Sequence, residues 1–514
     1  MSDNTNEIFL YKRVIKKDYD YNMWFFFPGP ESFAMSSLGY LWLFKAIDEL
    51  EDVDIERVYA NSKTTRIMRD EISLVGISNS FDMDFLEVLR FFEHNKFPIK
   101  AKDRGEIYPL IFAGGPVITS NPEPYKELYD FMIIGDGEDI NLEVINLCKD
   151  NKHKSKAEIL KMLSKLEGVY VPSIEQTEIK KVTKKLTECI YTPIISDKSF
   201  FPNTFIIEVE RGCANRCGFC LASYINLPIR FVPYEKIIAA IDLGLKYTKK
   251  IALLGAQLTA HPKFEDICDY IYKRIETGEE IEMSVSSLRV DSFKPKIINT
   301  LVKTGQKNLT LAIEAGSERL RKVINKNLTE EQIHRAIDVA AECGLKGIKF
   351  YGMLGIPSET QDDIQEIINL TKRIKQKHKG FDISYGFSTF VPKAHTPFQW
   401  CGREPEKTLE KKIQFLTKEL RKIGVQINVS SCKWDYYQAV LSRGDSTLTD
   451  YLIQVYKDGG KIGSFKKAAK ALNINTDNFA LKTYDYTEQL PWENITIRPG
   501  KDFLIEESKR LLNF

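Results

Sequence analysis

Short apolar runs alternate with segments of helical spacing over the first 150 residues of the chain. Apolar runs cover 23–27, 73–77, 110–113 and 131–134, and helical periodicity covers 33–47, 85–95 and 140–148. Strands that alternate with helices predict a parallel sheet with right-handed crossovers. The pattern therefore predicts an α/β fold that begins with a Rossmann-like domain over residues 1–150.

A second series of the same kind follows. Its predicted strands cover 205–209, 251–254, 281–286, 309–313, 348–353 and 383–390, separated by helical segments such as 234–246, 295–303, 330–343 and 360–378. Six such units are fewer than the eight of a closed barrel, so a partial (β/α)6 barrel over 204–400 is predicted. Its active site should lie at the carboxyl ends of the strands.

Two stretches lie outside these series. Residues 151–203 are rich in lysine with little periodicity, which predicts a linker with a solvated basic face, and an RNA-binding surface there stays open as the alternative. Residues 401–514 predict a mostly helical domain that caps the barrel mouth or presents a partner. Apolar residues recur there at helical spacing, at Leu409, Ile413, Leu416, Leu420 and Ile423.

Composition narrows the class of protein. With 43% hydrophobic residues, 28% charged residues and a net charge of +2, the chain is an ordinary globular protein without a global nucleic-acid footprint. The first residues lack the charged and apolar regions of a signal peptide, and no run approaches the length of a membrane span. We therefore expect a cytoplasmic protein with no membrane partner.

Three of the nine cysteines fall within eight residues, directly after the first strand of the second series. Cys213, Cys217 and Cys220 can bind three corners of a 4Fe-4S cluster and leave the fourth iron open to a small molecule, and Gly212 and Gly218 permit the tight turn. Structural zinc, which prefers four ligands, and unliganded core cysteines remain the alternatives. The other six cysteines are scattered and are expected to be small buried apolar residues.

The segment 211–220 resembles the hallmark of the radical S-adenosylmethionine (SAM) superfamily, CxxxCxxC with an aromatic residue, here Phe219, before the last cysteine. The resemblance implies that Cys213, Cys217 and Cys220 hold a 4Fe-4S cluster whose open iron binds the amino and carboxylate groups of SAM. Reductive cleavage then yields a 5′-deoxyadenosyl radical that abstracts hydrogen. The resemblance also implies an electron donor such as flavodoxin or ferredoxin.

Later strand ends look like the SAM-binding segments of these barrels. Gly255 and Gln257 occupy the place of the segment for the methionine amino group, although Gly-Ala-Gln departs from the usual Gly-Gly-Glu. The other segments suggest Glu314 for the ribose hydroxyls, Arg289 for the carboxylate and Gly355 for the adenine. The remaining cofactor-binding candidates of these segments are Ser287 and Ser317.

The first domain resembles the cobalamin-binding domain fused to many such barrels. Its strand-end turns carry Gly114, Gly115, Gly135 and Gly137, which let a ligand approach the backbone closely. The usual Asp-x-His-x-x-Gly motif is missing, so no histidine is expected to bind cobalt. Cobalamin-dependent methyl transfer and cobalamin-free hydrogen abstraction both remain open, as does a non-catalytic corrinoid or iron–sulfur sensor.

His395 follows the sixth strand of the second series, near the point where substrate should enter. Proton transfer is one role for such a histidine, and holding the proline-rich turn by hydrogen bonds is the other. The segments 390–400, 437–445 and 490–495 resemble a subfamily with the same three-part layout. That resemblance names no substrate, which stays open among a small molecule, RNA and protein.

Overall fold

The first part of the chain folds around a six-stranded sheet. The structure, a computed structural model, describes residues 7–13, 21–286 and 288–513. The strands here are β1 (Glu7–Phe9), β2 (Asn22–Phe27), β3 (Asp54–Tyr59), β4 (Ile72–Ser78), β5 (Leu110–Gly114), β6 (Phe131–Ile133), β7 (Val169–Tyr170), β8 (Ile179–Lys180) and β9 (Ile194–Ser196), and the helices are α1 (Glu31–Ala34), α2 (Leu38–Asp48), α3 (Phe85–His94), α4 (Pro116–Ser120), α5 (Glu138–Asp150) and α6 (Lys156–Leu163).

The strand order β3-β2-β4-β5-β6-β7 makes this a doubly wound sheet, which confirms the predicted Rossmann-like fold. All neighbours are parallel except β7, which runs antiparallel to β6. Met23 and Phe25 of β2 pack in one apolar core with α2 and α5, whereas Trp24 and Phe26 pack in another with α3. Both faces of the sheet are covered, which explains why β2 reads as a continuous apolar run.

Two parts of this domain were not anticipated. The predicted linker, 151–203, is folded: it carries α6, β7 within the main sheet, and β9, which pairs antiparallel with β1. Val169 and Tyr170 are buried although the run is only two residues long, too short to register as a strand by periodicity. The edge strand β3 was also missed, because charged residues interrupt its apolar positions.

The second series forms a curved parallel sheet. Its elements are β10 (Thr204–Glu208), β11 (Glu210–Arg211), α7 (Leu221–Ile225), β12 (Arg230–Phe231), α8 (Tyr234–Leu245), β13 (Lys250–Leu254), α9 (Phe264–Glu276), β14 (Glu282–Val285), α10 (Pro295–Lys303), β15 (Asn308–Glu314), α11 (Glu318–Val323), α12 (Glu330–Glu342), β16 (Gly347–Leu354), α13 (Gln361–Lys377) and β17 (Asp382–Thr389).

The six predicted barrel strands are all present, in two parallel groups. The order is β10-β13-β14 in one group and β15-β16-β17 in the other, and a parallel bridge between Leu288 and Leu311 joins the groups. A seventh strand, β18 (Gln426–Val429), adds to β17 in parallel. The partial barrel therefore uses a strand from beyond residue 400, in the region predicted to be mostly helical.

The remaining elements are α14 (Glu406–Lys422), α15 (Cys432–Ser442), α16 (Leu448–Lys457), α17 (Ile462–Ala471), α18 (Asp477–Ala480), β19 (Ile495–Thr496) and α19 (Lys501–Leu512). Of helices α15 to α17, only α15 contributes a residue, Cys432, to the barrel core. Their apolar faces share a core with Trp24, Phe26 and α3, so they complete the second face of the first sheet. In the part of the chain that the structure describes, no helix is long and apolar enough to cross a membrane.

Candidate functional site

The three clustered cysteines lie on an excursion that follows β10. The short antiparallel pair β11–β12 closes this excursion at its base, and α7 begins directly after Cys220. Cys213 and Cys217 are buried and Cys220 is half-buried. The excursion sits at the carboxyl end of the first barrel strand, where a barrel presents its active site.

The backbone of the cysteine loop is fixed by neighbouring elements. Gly212 adopts φ +93°, and a Cβ atom there would lie 2.6 Å from the Asn226 carbonyl oxygen, so the turn requires glycine. The Gly218 amide donates to the Ile324 carbonyl at 3.1 Å, and the Gly218 carbonyl accepts from the Phe398 amide at 3.1 Å. The loop is therefore held both by the residues that follow α11 and by the segment that follows β17.

The three thiols share one electrostatic neighbourhood. Burial is the main cause that raises the pKa of Cys217 to about 12; around it, Lys326 and Arg289 act to lower this pKa, and the thiols of Cys220 and Cys213 act to raise it. Two cations thus face the site where thiolate charge would accumulate. Among the described residues, no three Cys, His, Asp or Glu side chains are arranged to hold a single metal ion. Three thiols on one loop are the donor set of a 4Fe-4S cluster with one open iron.

The Gly255–Gln257 segment lies beside Cys213. The side-chain oxygen of Gln257 is 3.6 Å from the Cys213 sulfur and also contacts the amide of Asn215. The backbone amide of Gln257 donates to the carboxylate of Glu210 at 2.5 Å, and a Cβ at Gly255 would lie 2.6 Å from the same carboxylate. Burial raises the pKa of Glu210 to about 7. Glu210 of β11, the strand that leads into the cysteine loop, therefore holds the Gly255–Gln257 segment in place.

Glu314 and Arg289 both lie close to Lys326. Glu314 adopts φ +64° at the end of β15, and its carboxylate is 3.3 Å from the ammonium of the buried Lys326. Arg289 donates twice to Asp291, at 2.9 and 2.8 Å, and once to the Lys326 carbonyl at 3.3 Å. The guanidinium that the sequence assigned to the SAM carboxylate is thus engaged with a carboxylate of the protein.

The other predicted SAM-binding residues have varied surroundings. Ser287 lies outside the described residues. Ser317 caps α11 by accepting from the Leu320 amide at 3.0 Å and donates to Asp363, so its hydroxyl has structural partners. Gly355 adopts φ +76°, and its amide donates to Glu359 at 2.9 Å. Phe219 packs against an apolar cluster that includes Ala315, Ile356 and Phe398.

The turn after β6 is joined to the start of the cysteine loop by buried ion pairs. Asp136 lies 3.1 Å from Arg211 and 2.5 Å from Arg230, and Glu138 lies 2.6 Å from Arg211. Arg211 also pairs with Glu208 at 2.8 Å. Burial would raise the pKa of Asp136, but the two guanidinium groups hold it below its ordinary value. The Gly-Asp-Gly-Glu turn therefore docks the first domain onto the barrel.

The glycines that were predicted to contact cobalamin lie close to protein atoms at three of four positions. A Cβ at Gly115, where φ is +112°, would lie 2.4 Å from the Asn79 carbonyl oxygen, and one at Gly135 would lie 2.2 Å from that of Val182. One at Gly137 would meet the Asn141 amide at 2.6 Å. Gly114 has more room, since its nearest neighbour would be 3.8 Å away. The close contacts of Gly115, Gly135 and Gly137 with neighbouring protein atoms thus explain why these positions are glycine.

His395 is buried rather than exposed at a substrate entrance. It is 8% exposed, and burial lowers its pKa to about 4, so the ring is neutral at physiological pH. Its backbone amide donates to the Gln399 side-chain oxygen at 2.8 Å, which also accepts from Trp492. The contact of His395 involves its backbone amide, and its ring Nε2 is buried without a hydrogen-bond partner among the described residues, so a role of the ring in holding the proline-rich turn stays a prediction.

Sequence reasoning missed Lys326, Asn215 and Glu210. Lys326 pairs with Glu314 and lies near Cys217, although it follows Glu314 by twelve positions in a loop that shows no motif. Asn215 lies inside the cysteine motif at a variable position, and its amide lies 3.4 Å from the Cys213 sulfur. Glu210 lies three residues before Cys213, and this position was the only signal in the sequence that could have suggested it.

Two family models match the chain. The model "Radical SAM proteins, N-terminal" covers residues 39–172, and the "Radical SAM superfamily" model covers residues 207–371. An uncharacterised protein of Methanocaldococcus jannaschii is 30% identical over 454 residues, which are 87% of this chain and 94% of that protein. The threonylcarbamoyladenosine tRNA methylthiotransferase MtaB of Aquifex aeolicus is 24% identical over 332 residues, 62% of this chain and 76% of that protein.

Solved structures share the fold at low sequence identity. The cobalamin-dependent SAM radical enzyme OxsB, with aqua-cobalamin and SAM bound, gives a TM-score of 0.54 at 14% identity over 96% of this chain and 80% of that one. The radical SAM methyltransferase TsrM of Kitasatospora setae, with cobalamin and a [4Fe-4S] cluster bound, gives 0.51 at 12% identity over 71% and 74%.

Proposed function

The chain belongs to the radical SAM superfamily, and on this premise we propose that it cleaves SAM reductively and abstracts a hydrogen atom from a substrate. The observation that carries the proposal is the grouping of Cys213, Cys217 and Cys220 on one fixed loop at the mouth of the partial barrel, with Lys326 and Arg289 facing Cys217. When bound at these thiols, a 4Fe-4S cluster supplies one electron to SAM and so generates a 5′-deoxyadenosyl radical.

The residues around the thiols suit the parts of SAM. Gln257 would orient the methionine end, because its backbone is anchored by Glu210 and its side chain already reaches Cys213. Glu314 would accept from the ribose hydroxyls, with the ammonium of Lys326, 3.3 Å away, holding its carboxylate in place. Phe219 and its apolar cluster exclude water from one side of the site.

The test of this proposal is anaerobic reconstitution of cysteine variants. Replacing Cys213, Cys217 and Cys220 with alanine should abolish the release of 5′-deoxyadenosine under reductant, because no thiolate remains on the loop to bind iron. Cys343→Ala is the matched control, since Cys343 is half-exposed and lies outside the loop. Release of 5′-deoxyadenosine by a folded triple variant would overturn the proposal.

Cobalamin-dependent methyl transfer is the second candidate function. It is favoured by the likeness in fold to OxsB and TsrM, which bind cobalamin. The close contacts at Gly115 and Gly135 give no separate support, since they are explained by Asn79 and Val182. The test is to add hydroxocobalamin, desalt the protein and record the corrin absorbance. If no corrin is retained, the methyl-transfer candidate is withdrawn and hydrogen abstraction stands alone.

The substrate and the electron donor are further parts of the proposal. An electron carrier such as flavodoxin or ferredoxin would reduce the cluster. The likeness to a tRNA methylthiotransferase favours an RNA substrate, whereas the net charge of +2 favours a small molecule or a protein. Deuterium transfer from labelled candidates into 5′-deoxyadenosine distinguishes these classes, because only a true substrate donates its hydrogen.

A further inference from the structure

A cavity of about 300 Å³ lies on the first domain, between the loop that follows β3 and the helix α3. Ser62, Lys63, Thr64 and Thr65 line it from the loop, and Arg90 and His94 line it from the helix. β3 is the edge strand of the sheet, at the opposite edge from β7. The cavity therefore lies apart from the cysteine loop, which the sheet meets through the turn after β6.

The loop that lines the cavity is held in place at both ends. At its start, the Ala60 amide donates to the Gly29 carbonyl at 3.0 Å, and the Ser62 hydroxyl accepts from the Tyr59 amide at 2.9 Å. At its end, the amides of Arg66 and Ile67 donate to the Glu56 carboxylate at 2.6 and 2.8 Å. A loop fixed in this way loses little conformational entropy when it binds a ligand.

Between these anchors, donors lack partners. Among the described residues, neither the Lys63 ammonium nor the backbone amides of Lys63, Thr64 and Thr65 have a hydrogen-bond acceptor. The His94 ring likewise has no partner in the described chain. The one acidic side chain in the lining is Glu87, which pairs with Arg90 at 2.5 Å. The lining thus presents several donors and a surplus of positive charge.

The wall behind these donors is apolar. Phe26 and Phe91 stack with ring centroids 4.1 Å apart, and Val58 completes this side of the cavity. A ligand held here would place an anionic group against the loop and Arg90 and an uncharged portion against the wall. The volume lies at the lower end of the range for small-molecule sites, about 300 to 1,000 Å³.

We propose that this cavity binds a small organic phosphate monoester. A phosphate carries about two negative charges near neutral pH and accepts several hydrogen bonds, which matches consecutive loop amides together with Lys63 and Arg90. An RNA backbone fits less well, because a track of unpaired cations is required and the neighbouring Arg66 is committed to Asp54 at 2.5 and 2.7 Å. The site is independent of the proposed chemistry at the cysteines.

Calorimetric titration of the full-length protein with glycerol 3-phosphate, and with glycerol as the uncharged comparison, tests the proposal. We expect saturable binding of the phosphate ester at millimolar or lower concentration and none of glycerol. Lys63→Gln and Arg90→Gln should each weaken binding about tenfold or more, because each removes a charged hydrogen bond. Lys457→Gln is the matched control, since Lys457 is exposed and does not line the cavity.

Three results would overturn the proposal. One is the absence of saturable binding of glycerol 3-phosphate, and another is binding that both cavity variants leave unchanged. The third is that a single-stranded RNA oligonucleotide binds through Lys63 and Arg90 whereas glycerol 3-phosphate does not bind. Both substituted side chains are partly or fully exposed, and thermal unfolding of each variant checks that the fold is retained.

Discussion

Asp136→Asn removes the carboxylate at the centre of the contact between the first domain and the cysteine loop. This side chain is 8% exposed and lies between Arg230, at 2.5 Å, and Arg211, at 3.1 Å. It also accepts from the Lys184 amide at 2.9 Å. Asparagine keeps the size of the side chain and removes its charge, so the variant tests the electrostatic part of the contact.

Removing one partner of a buried ion pair typically costs about 3 to 5 kcal/mol, because a charge is left buried without compensation. Arg211 would keep Glu208 and Glu138, so we expect about 3 kcal/mol, the lower end of this range. The pKa of Asp136 is lowered in the folded protein, so its stabilising effect is present above the ordinary carboxyl pKa and is lost as the pH falls. The deficit of the variant should therefore be largest near pH 7 and shrink below about pH 4.

Urea denaturation of both proteins at several pH values measures the effect. Asp139→Asn is the matched control: Asp139 belongs to the same region and pairs with Lys184, but its side chain is 75% exposed, so its loss should cost less than about 1 kcal/mol. Equal destabilisation by the two substitutions would refute the reasoning. A deficit of Asp136→Asn that stays constant down to pH 3 would do the same.

Three further outcomes are expected. Gly115→Ala should destabilise the protein by about 1 to 3 kcal/mol in thermal unfolding, because its Cβ would lie 2.4 Å from the Asn79 oxygen at φ +112°. Because His395 is buried with a pKa of about 4, the free energy of unfolding should fall by about 3 kcal/mol between pH 6.5 and 4. His395→Asn should reduce this loss, and asparagine is chosen because it tolerates the φ of +58° at this position. Glu314→Ala should lower the affinity for SAM about ten- to a hundredfold, measured by the change that added SAM causes in the paramagnetic signal of the reduced cluster. An unchanged affinity in a folded variant would exclude Glu314 from the site.

Much of the fold followed from periodicity. All six barrel strands and four of the first-domain strands lie where short apolar runs predicted them, because strands buried on both faces leave a continuous apolar signal. Neither β3 nor β7 was predicted as a strand of the sheet, for opposite reasons. The first has charged residues among its apolar ones, and the second is only two residues long, so neither resembles a buried central strand.

The cysteine loop could be predicted from the sequence because its three cysteines fall within eight residues, so their spacing is fixed by the local chain. The residues that contact this loop could not be predicted from the sequence. Lys326, Gln257 and Phe398 reach the loop from three other segments of the barrel, and the Gly-Asp-Gly-Glu turn pairs with Arg211 across more than seventy residues. The spacing of apolar residues over 409–423 predicted an amphipathic helix, yet only tertiary packing assigned its apolar face to the barrel core and those of α15 to α17 to the first sheet. Local spacing determines which residues can act together within one turn. The choice of distant partners depends on which surfaces bury most completely, and that is decided only when the whole chain is packed.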